Sequence, residues 1–181
     1  MTRTLLALIA PGSVEAEVGR LQQSIFKDHA LVSSIALPPL LPVAFLADSE
    51  PQRGFLAGLN AAVSAPYCMT LAGLSWHEGW LYLRVDSGGV WETLHAAALS
   101  ASAADGGVRP PGFFTEAEGF FLGCIEADAR ERALIQPRLP EGRFTSAVLA
   151  SMRFDVAEGG VWWREVLMET LEEIPLRGKR R

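Results

Sequence analysis

The sequence predicts an α+β protein in which two pseudo-symmetric strand–helix–strand lobes with antiparallel sheets enclose a central cleft. Three observations predict this fold. Apolar residues recur at helical spacing in three segments, with strand-type segments between them. Two pairs of strand-type segments are joined by short turns, which favours antiparallel hairpins. No repeat or change of composition divides the 181 residues, of which 49% are hydrophobic and 20% charged. We therefore expect one domain over residues 1–176 and a basic tail over 177–181.

The first lobe begins with an apolar run, Thr4–Ala10, which Pro11 and Gly12 end. This pattern is typical of a buried strand followed by a turn. The run lies at the lower size limit of a signal-peptide core, so we interpret it as a strand. A helix is predicted over residues 14–27, where apolar residues recur every three or four positions. They are Val14, Val18, Leu21 and Ile25.

The next segments predict a second strand and a second helix. Leu31–Ala36 is the strand candidate, and Leu40–Leu46 is its continuation beyond a proline-rich stretch. Proline cannot donate a backbone hydrogen bond, so these prolines interrupt the strand. Ser49-Glu50-Pro51 has the polar cap and early proline of a helix start. We expect that helix to end near Pro66.

The middle of the chain predicts a hairpin and a third helix. Tyr67–Trp76 and Trp80–Val85 are rich in strand-forming residues and flank a turn with glycine. Alternation places every second residue of the latter strand on the same face. One face holds Leu81, Leu83 and Val85, and the other holds Trp80, Tyr82 and Arg84. The third helix is predicted over residues 89–103.

The last third predicts an irregular insert and a closing hairpin. Residues 105–112 have a loop composition, and Thr115-x-x-Glu118 matches a capping box. We therefore expect a short helix after Thr115, with Cys124 in it, and another helical turn over 128–135. The closing hairpin is predicted over Arg143–Asp155 and Val161–Ile174.

Net charge argues against a nucleic-acid partner. The whole chain has a net charge of −5, and the tail holds four of its 16 basic residues and none of its 21 acidic ones, so residues 1–176 carry −9. Neutralising phosphates requires clustered Lys and Arg. This leaves a small-molecule ligand or a protein partner, a second copy of the chain included. The two cysteines are too few for a disulfide scaffold, so we expect a reducing, cytoplasmic setting.

The remaining motifs indicate no metal, cofactor or membrane span. The chain has no His-x-x-x-His, no Cys-x-x-Cys and no phosphate-binding glycine loop. The three histidines, His29, His77 and His95, are expected to be unrelated surface or helix-face residues. The longest apolar run, Ile35–Ala47, is too short to cross a bilayer and contains prolines.

The order of elements, together with two short segments, resembles the two-histidine phosphoesterase superfamily. This superfamily includes the 2′–5′ RNA ligase-like proteins and cyclic phosphodiesterases. Leu40–Ala47 (LLPVAFLA) stands where the family has His-x-Thr-Leu-Ala-Phe-Leu-Gly, and Phe144–Ala150 (FTSAVLA) stands where we expect its second His-x-Thr-Leu motif. Leu71–Val85 resembles the family's intervening hairpin, and Val161–Leu171 its last strand. The resemblance implies a cleft in which one histidine acts as base, the other as acid, and the hydroxyls hold the phosphate.

The sequence departs from the family at these motifs. The first becomes Leu40-x-Pro42, and the second becomes Thr145-x-Ala147, or Ser146-x-Val148 in the alternative register. A positioned general acid or base contributes about 10²–10⁴ in rate. We therefore predict that both motifs are degenerate, which argues against the family reaction and leaves open whether the chain is an enzyme.

The leading hypothesis is a non-catalytic protein that binds a small organic or nucleotide-like ligand in its cleft. Leu40 and Pro42 would line one side, and Thr145 and Ala147 the other. The aromatic and cationic face of Trp80, Tyr82 and Arg84 could stack a base and hold a phosphate, with Arg143 contributing. Two alternatives stay open. One is a phosphoesterase that uses Thr145, Arg84 and a histidine; the other is a protein-interaction module that uses Trp162 and Trp163.

Overall fold

The computed structural model describes residues 2–46, 54–63, 67–77, 79–104, 117–124, 135–145, 147–156 and 166–176. Its helices are α1 (Gly12–His29), α2 (Phe55–Ala62) and α3 (Val90–Ala104), with a 3-10 helix over Val32–Ile35. Its strands are β1 (Thr2–Ile9), β2 (Leu41–Leu46), β3 (Met69–His77), β4 (Trp80–Asp86), β5 (Gly119–Cys124), β6 (Arg143–Phe144), β7 (Val148–Val156) and β8 (Val166–Pro175). None of the described helices is long and apolar enough to span a membrane.

The strands form two four-stranded antiparallel sheets, which confirms the α+β prediction. The first sheet has the order β2-β1-β7-β8 and the second has the order β5-β4-β3-β6. Each sheet includes the two strands of one strand–helix–strand unit, in which an inner strand is followed by a helix and then by an edge strand. These units are β1-α1-β2 and β4-α3-β5. The helix of each unit contacts the edge strand of the other sheet, α1 on β5 and α3 on β2. This exchange relates the two lobes by an approximate two-fold axis.

Hydrogen bonds from each exchanged helix reach carbonyls of the edge strand it contacts. From α1, the buried Gln22 Nε2 donates to the carbonyl of Phe121 on β5 at 3.2 Å. From α3, Trp91 Nε1 donates to the carbonyl of Pro42 at 2.8 Å. His95 Nδ1 lies 2.5 Å from the carbonyl of Val43 and stacks on Trp91. The helices thereby satisfy polar groups that an uncovered edge strand would expose.

Two of the predicted elements differ from the structure in type. Leu31–Ala36 contains a 3-10 helix rather than a strand, because serine hydroxyls bind the backbone there. Ser34 Oγ donates to the carbonyl of Leu31, and Ser33 Oγ donates to the carbonyl of Cys124 and accepts its N–H. The stretch that contains Cys124 is strand β5 rather than a helix. Its central residues 120–122 are buried on both faces of the second sheet, which is typical of strands rather than of amphipathic helices.

The predicted strand Arg143–Asp155 is divided between the two sheets. β6 pairs with β3 in the second sheet, whereas β7 pairs with β1 in the first. The pairing of β7 with β8 confirms the closing hairpin. Several predicted features lie outside the described residues: the helix start at Ser49-Glu50-Pro51, the loop 105–112, Thr115, positions 128–134, Trp162 and Trp163, and the tail.

Buried side chains form two clusters. The larger one, here called the outer cluster, joins the three helices to the sheet faces that they cover. The smaller one, here called the central cluster, joins the opposite faces of the two sheets to each other. Its buried members are Leu5, Ala7, Leu37, Leu40, Phe45, Tyr82, Phe121, Ala150, Met152 and Phe154. The central cluster therefore fills the space between the sheets.

Ser151 on β7 is fully buried, and its hydroxyl has no hydrogen-bond partner within the described chain. A buried polar group without a partner costs about 1–3 kcal/mol relative to a satisfied one. We expect Ser151→Ala to raise the free energy of unfolding by about 1 kcal/mol, as measured by urea denaturation. A loss of stability in this variant would show that the hydroxyl is satisfied.

Candidate functional site

The first motif segment begins at Leu40 and continues along β2. It borders the layer of central-cluster side chains between the two sheets, which is here called the floor. Leu41 pairs with Leu8 and Pro42 pairs with Ala7, and an irregularity in the pairing follows. Leu40 is 2% exposed and belongs to the central cluster, as does Phe45. Pro42 is also buried, and its carbonyl is the acceptor for Trp91. The positions where the resemblance implies a histidine and a threonine are therefore apolar and closed to solvent.

The two-fold relation between the lobes identifies the counterpart of this segment on β5. Phe120 pairs with Leu83 and Phe121 pairs with Tyr82, again with an irregularity in the pairing beside them. These pairs match Leu41–Leu8 and Pro42–Ala7 on β2. The counterparts of Leu40 and Pro42 are therefore Gly119 and Phe121.

Gly119 has no room for a side chain. A Cβ atom there would lie 2.8 Å from the carbonyl oxygen of Leu83 and 3.0 Å from Cβ of Tyr82. The carbonyl belongs to the paired strand β4 and cannot rotate away. A histidine at this position would require the two strands to separate.

Phe121 closes the other half of the floor. Its ring lies 5.7 Å from that of Trp80 and 6.2 Å, edge-on, from that of Tyr82. Across the floor, the rings of Phe45 and Phe154 are 5.3 Å apart, also edge-on. Such edge-on contacts are favourable geometries for aromatic pairs. The floor is thus a packed aromatic layer.

The second motif segment predicted from the sequence does not lie at this floor. Thr145 is an exposed residue between β6 and β7, and Ala147 packs with Leu149 in the outer cluster. On β7 the residues that reach the central cluster are Ala150, Met152 and Phe154. Arg143 is exposed on β6, at the edge of the second sheet. β6 lies in the second sheet and β7 in the first, so these residues cannot occupy the place expected from a continuous strand.

The three residues of the predicted aromatic and cationic face do share one side of β4, but they differ in exposure. Tyr82 is fully buried in the central cluster, whereas Trp80 is half-buried against it. Arg84 is exposed, and its Nη2 donates to the carbonyl of Ala72 at 3.5 Å. Only Trp80 and Arg84 are therefore accessible, one at each end of the strand.

Several solved structures match this arrangement over almost the whole chain. A Thermus thermophilus protein, TT0787, matches with a TM-score of 0.61 and 20% identity over 98% of this chain and 100% of that one. LigT of E. coli complexed with 3′-AMP matches with a TM-score of 0.60 and 18% identity over 97% of each chain. A phosphoesterase matches with a TM-score of 0.62 and 17% identity over 97% of this chain and 99% of that one.

This chain has the two-histidine phosphoesterase fold. The likeness extends to the two antiparallel sheets and the two pseudo-symmetric lobes. No family model and no curated protein matches the sequence. At these identities the likeness describes the fold alone, because one fold can host unrelated chemistries.

The three histidines of this chain lie away from the floor. His29 is exposed at the end of α1, and His95 contacts the outer edge of β2. His77 ends β3 beside Trp80, whereas Arg143 pairs with Thr70 at the other end of the same strand. Seven residues of strand separate these ends by about 20 Å. The structure therefore does not bring His77 to Thr145, which lies next to β6.

No group of three metal-ligating side chains that could hold an ion occurs in the described ranges.

The carboxylate of Glu118 lies next to the floor position Gly119, because Glu118 directly precedes β5. Its Oε1 accepts the N–H of Ser87 at 2.7 Å, and Ser87 Oγ accepts the N–H of Trp91 in the first turn of α3. Glu118 therefore ties the start of β5 to the start of α3.

Burial raises the pKa of Glu118 above its ordinary value of 4.5, and the nearby Glu92 and Asp86 raise it further against the lowering effect of Ser87. A folded-state pKa above the unfolded one means that the folded chain binds this proton more tightly. The contribution of the protonated Glu118 carboxyl to the free energy of unfolding is fully present below pH 4.5 and is lost as pH rises through the raised pKa. We expect Glu118→Gln to flatten that decline in urea unfolding measured across this range. Parallel profiles for the two proteins would contradict this origin.

Proposed function

We propose that this protein keeps the two-histidine phosphoesterase fold without its hydrolytic chemistry and binds a small nucleotide-like ligand at the rim of the packed floor, on the face of β4 that carries Trp80 and Arg84. One observation carries the proposal. The four floor positions that are related by the two-fold axis are Leu40, Pro42, Gly119 and Phe121. None of these side chains can accept a proton, donate one or hold a phosphate oxygen.

The chemistry requires groups of that kind. Hydrolysis of a phosphodiester needs a base to take a proton from the attacking water and an acid to protonate the leaving oxygen. It also needs donors for the negative charge that develops on the phosphate. Leucine, proline, glycine and phenylalanine supply none of these, and a charged group buried among them would have no compensating partner.

The accessible part of the same face supports a binding role. The half-buried Trp80 presents an indole ring at one end of β4, and the exposed Arg84 presents a guanidinium group at the other. Indole rings stack on nucleobases, and guanidinium groups form paired hydrogen bonds with phosphate. LigT of E. coli is a protein of this fold that binds 3′-AMP. We therefore propose a nucleotide-like ligand whose ring lies on Trp80 and whose anionic group reaches towards Arg84.

Calorimetric titration with 3′-AMP tests this proposal. We expect Trp80→Leu and Arg84→Ser each to weaken binding about tenfold, which corresponds to about 1.4 kcal/mol. Arg138→Ser, at an exposed arginine on segment 135–142, is the matched control and should leave the affinity unchanged. Equal affinity in all four proteins, or no binding at all, would contradict a nucleotide site at this rim.

We further propose a reducing, cytoplasmic setting and a ligand that needs no metal or cofactor. Cys68 is exposed and Cys124 half-buried, and neither forms a disulfide within the described residues. An exposed thiol is retained most readily in a reducing compartment.

A further inference from the structure

An open groove of about 800 Å³ lies between α1 and segment 135–142. Leu21 and Leu139 form part of its lining, and both pack with the outer cluster rather than the central one. The groove is therefore separate from the rim formed by Trp80 and Arg84. Its size falls within the range of about 300–1,000 Å³ that is common for small-molecule sites.

Charged groups of both signs line this groove. Arg20 and Glu17 come from α1, and Arg138 and Glu141 come from segment 135–142. Within the described ranges, the side chains of these four residues make no ion pair with each other or with any other residue. Among the described residues that line the groove, two are cationic and two are anionic, and each is available to a ligand.

Their balance selects the class of ligand. A polyanion such as nucleic acid would meet Glu17 and Glu141, and a polycation would meet Arg20 and Arg138. A molecule with one group of each sign can use both sets. A guanidinium fork matches the geometry of a carboxylate, and a carboxylate accepts hydrogen bonds from an ammonium group.

We propose that this groove binds a short zwitterionic peptide. Its terminal carboxylate lies on Arg20 and Arg138, and its terminal ammonium group lies on Glu17 and Glu141. Its apolar side chain lies on the surface formed by Leu21, Leu139 and Pro140. No bond is made or broken in this site.

Calorimetric titration of the full-length protein with the tripeptide alanyl-leucyl-alanine tests the proposal. The free tripeptide should bind saturably, and its N-acetylated, C-amidated form should bind at least about tenfold more weakly, since both charged ends are lost. Arg138→Ser should weaken the free peptide about tenfold, and so should Glu141→Gln. Both residues are exposed, so the variants should fold, which circular dichroism would verify.

Arg84→Ser is the matched control and should leave peptide binding unchanged. Absence of saturable binding by the free peptide, or equal binding of the free and blocked peptides, would overturn the proposal. These results are independent of the 3′-AMP titration, in which Arg84 and Arg138 exchange the roles of test and control. Failure of one site therefore leaves the other to be judged by its own ligand.

Discussion

Phe121→Ala should lower the free energy of unfolding by about 3–5 kcal/mol, the range for removing a buried aromatic ring from a core. Phe121 is 1% exposed, and its ring contacts those of Trp80 and Tyr82. The alanine would leave a cavity at the centre of the floor, which the paired backbones of β4 and β5 cannot collapse to fill. Urea denaturation monitored by circular dichroism measures the difference.

Phe26→Ala is the control for this prediction. Phe26 lies on α1 and is half-buried, outside both buried clusters. Its replacement removes the same ring from a site where water can enter, so the cost should be clearly smaller. If the two variants lost the same stability, or Phe121→Ala lost less than about 1 kcal/mol, the floor would be an open cleft rather than a packed layer.

Gly119→Ala should also destabilise the protein strongly, by about 3 kcal/mol, at the upper end of the range for overpacking. The added Cβ would meet the carbonyl oxygen of Leu83 at 2.8 Å, and that oxygen belongs to the backbone of the neighbouring strand. The strands would have to separate at the point where Glu118 ties β5 to α3. The same measurement of unfolding free energy detects the loss.

Gly58→Ala is a matched control with an expected effect of opposite sign. Gly58 lies inside α2, is exposed and has no atom within 4 Å of an added Cβ. Alanine there should stabilise the helix by about 0.5–1 kcal/mol, because glycine loses more backbone freedom on folding. A neutral Gly119→Ala variant would show that this position can hold a side chain and therefore has room for a histidine.

Periodic segments were predictable because their burial follows from local pattern alone. The apolar positions of α1 repeat at helical spacing, and all four that the pattern identifies, Val14, Val18, Leu21 and Ile25, are buried. The alternation on β4 likewise placed Leu81, Leu83 and Val85 in the outer cluster and Tyr82 in the central one. β2 forms despite its proline because it is an edge strand, and the carbonyl of Pro42 still accepts a hydrogen bond from Trp91.

The two wrong assignments depended on distant partners. The 3-10 helix after α1 exists because Ser33 binds the backbone of Cys124, 91 residues along the chain. For β5, the capping-box pattern Thr115-x-x-Glu118 predicts a helix. The apolar run Gly119–Gly123, which has a glycine at each end, indicates the strand that the structure contains. Glu118 instead accepts the N–H of Ser87, which follows the neighbouring strand β4.

The floor positions Gly119 and Phe121 were missed for the same reason. If β5 is interpreted as a helix, the next predicted strand begins at Arg143, and the second motif is then expected at Thr145 and Ala147. The correspondence between β2 and β5 follows from the strand pairing and from the helix that contacts each of these edge strands. Leu40 and Pro42 could be identified from the sequence because the residues after them, Val43–Leu46, keep the apolar pattern of the motif.

The central claim is that the floor of this fold carries no phosphodiester chemistry, and hydrolysis of 2′,3′-cyclic nucleotides between about pH 5 and 9 tests it most directly. The assay should compare the native protein with Thr145→Ala and Arg84→Ser, which alter the exposed hydroxyl and cation that an alternative site would use. We expect no turnover above the uncatalysed rate in any of the three proteins. Turnover by the native protein that either variant abolishes would contradict it and would place an active site outside the floor.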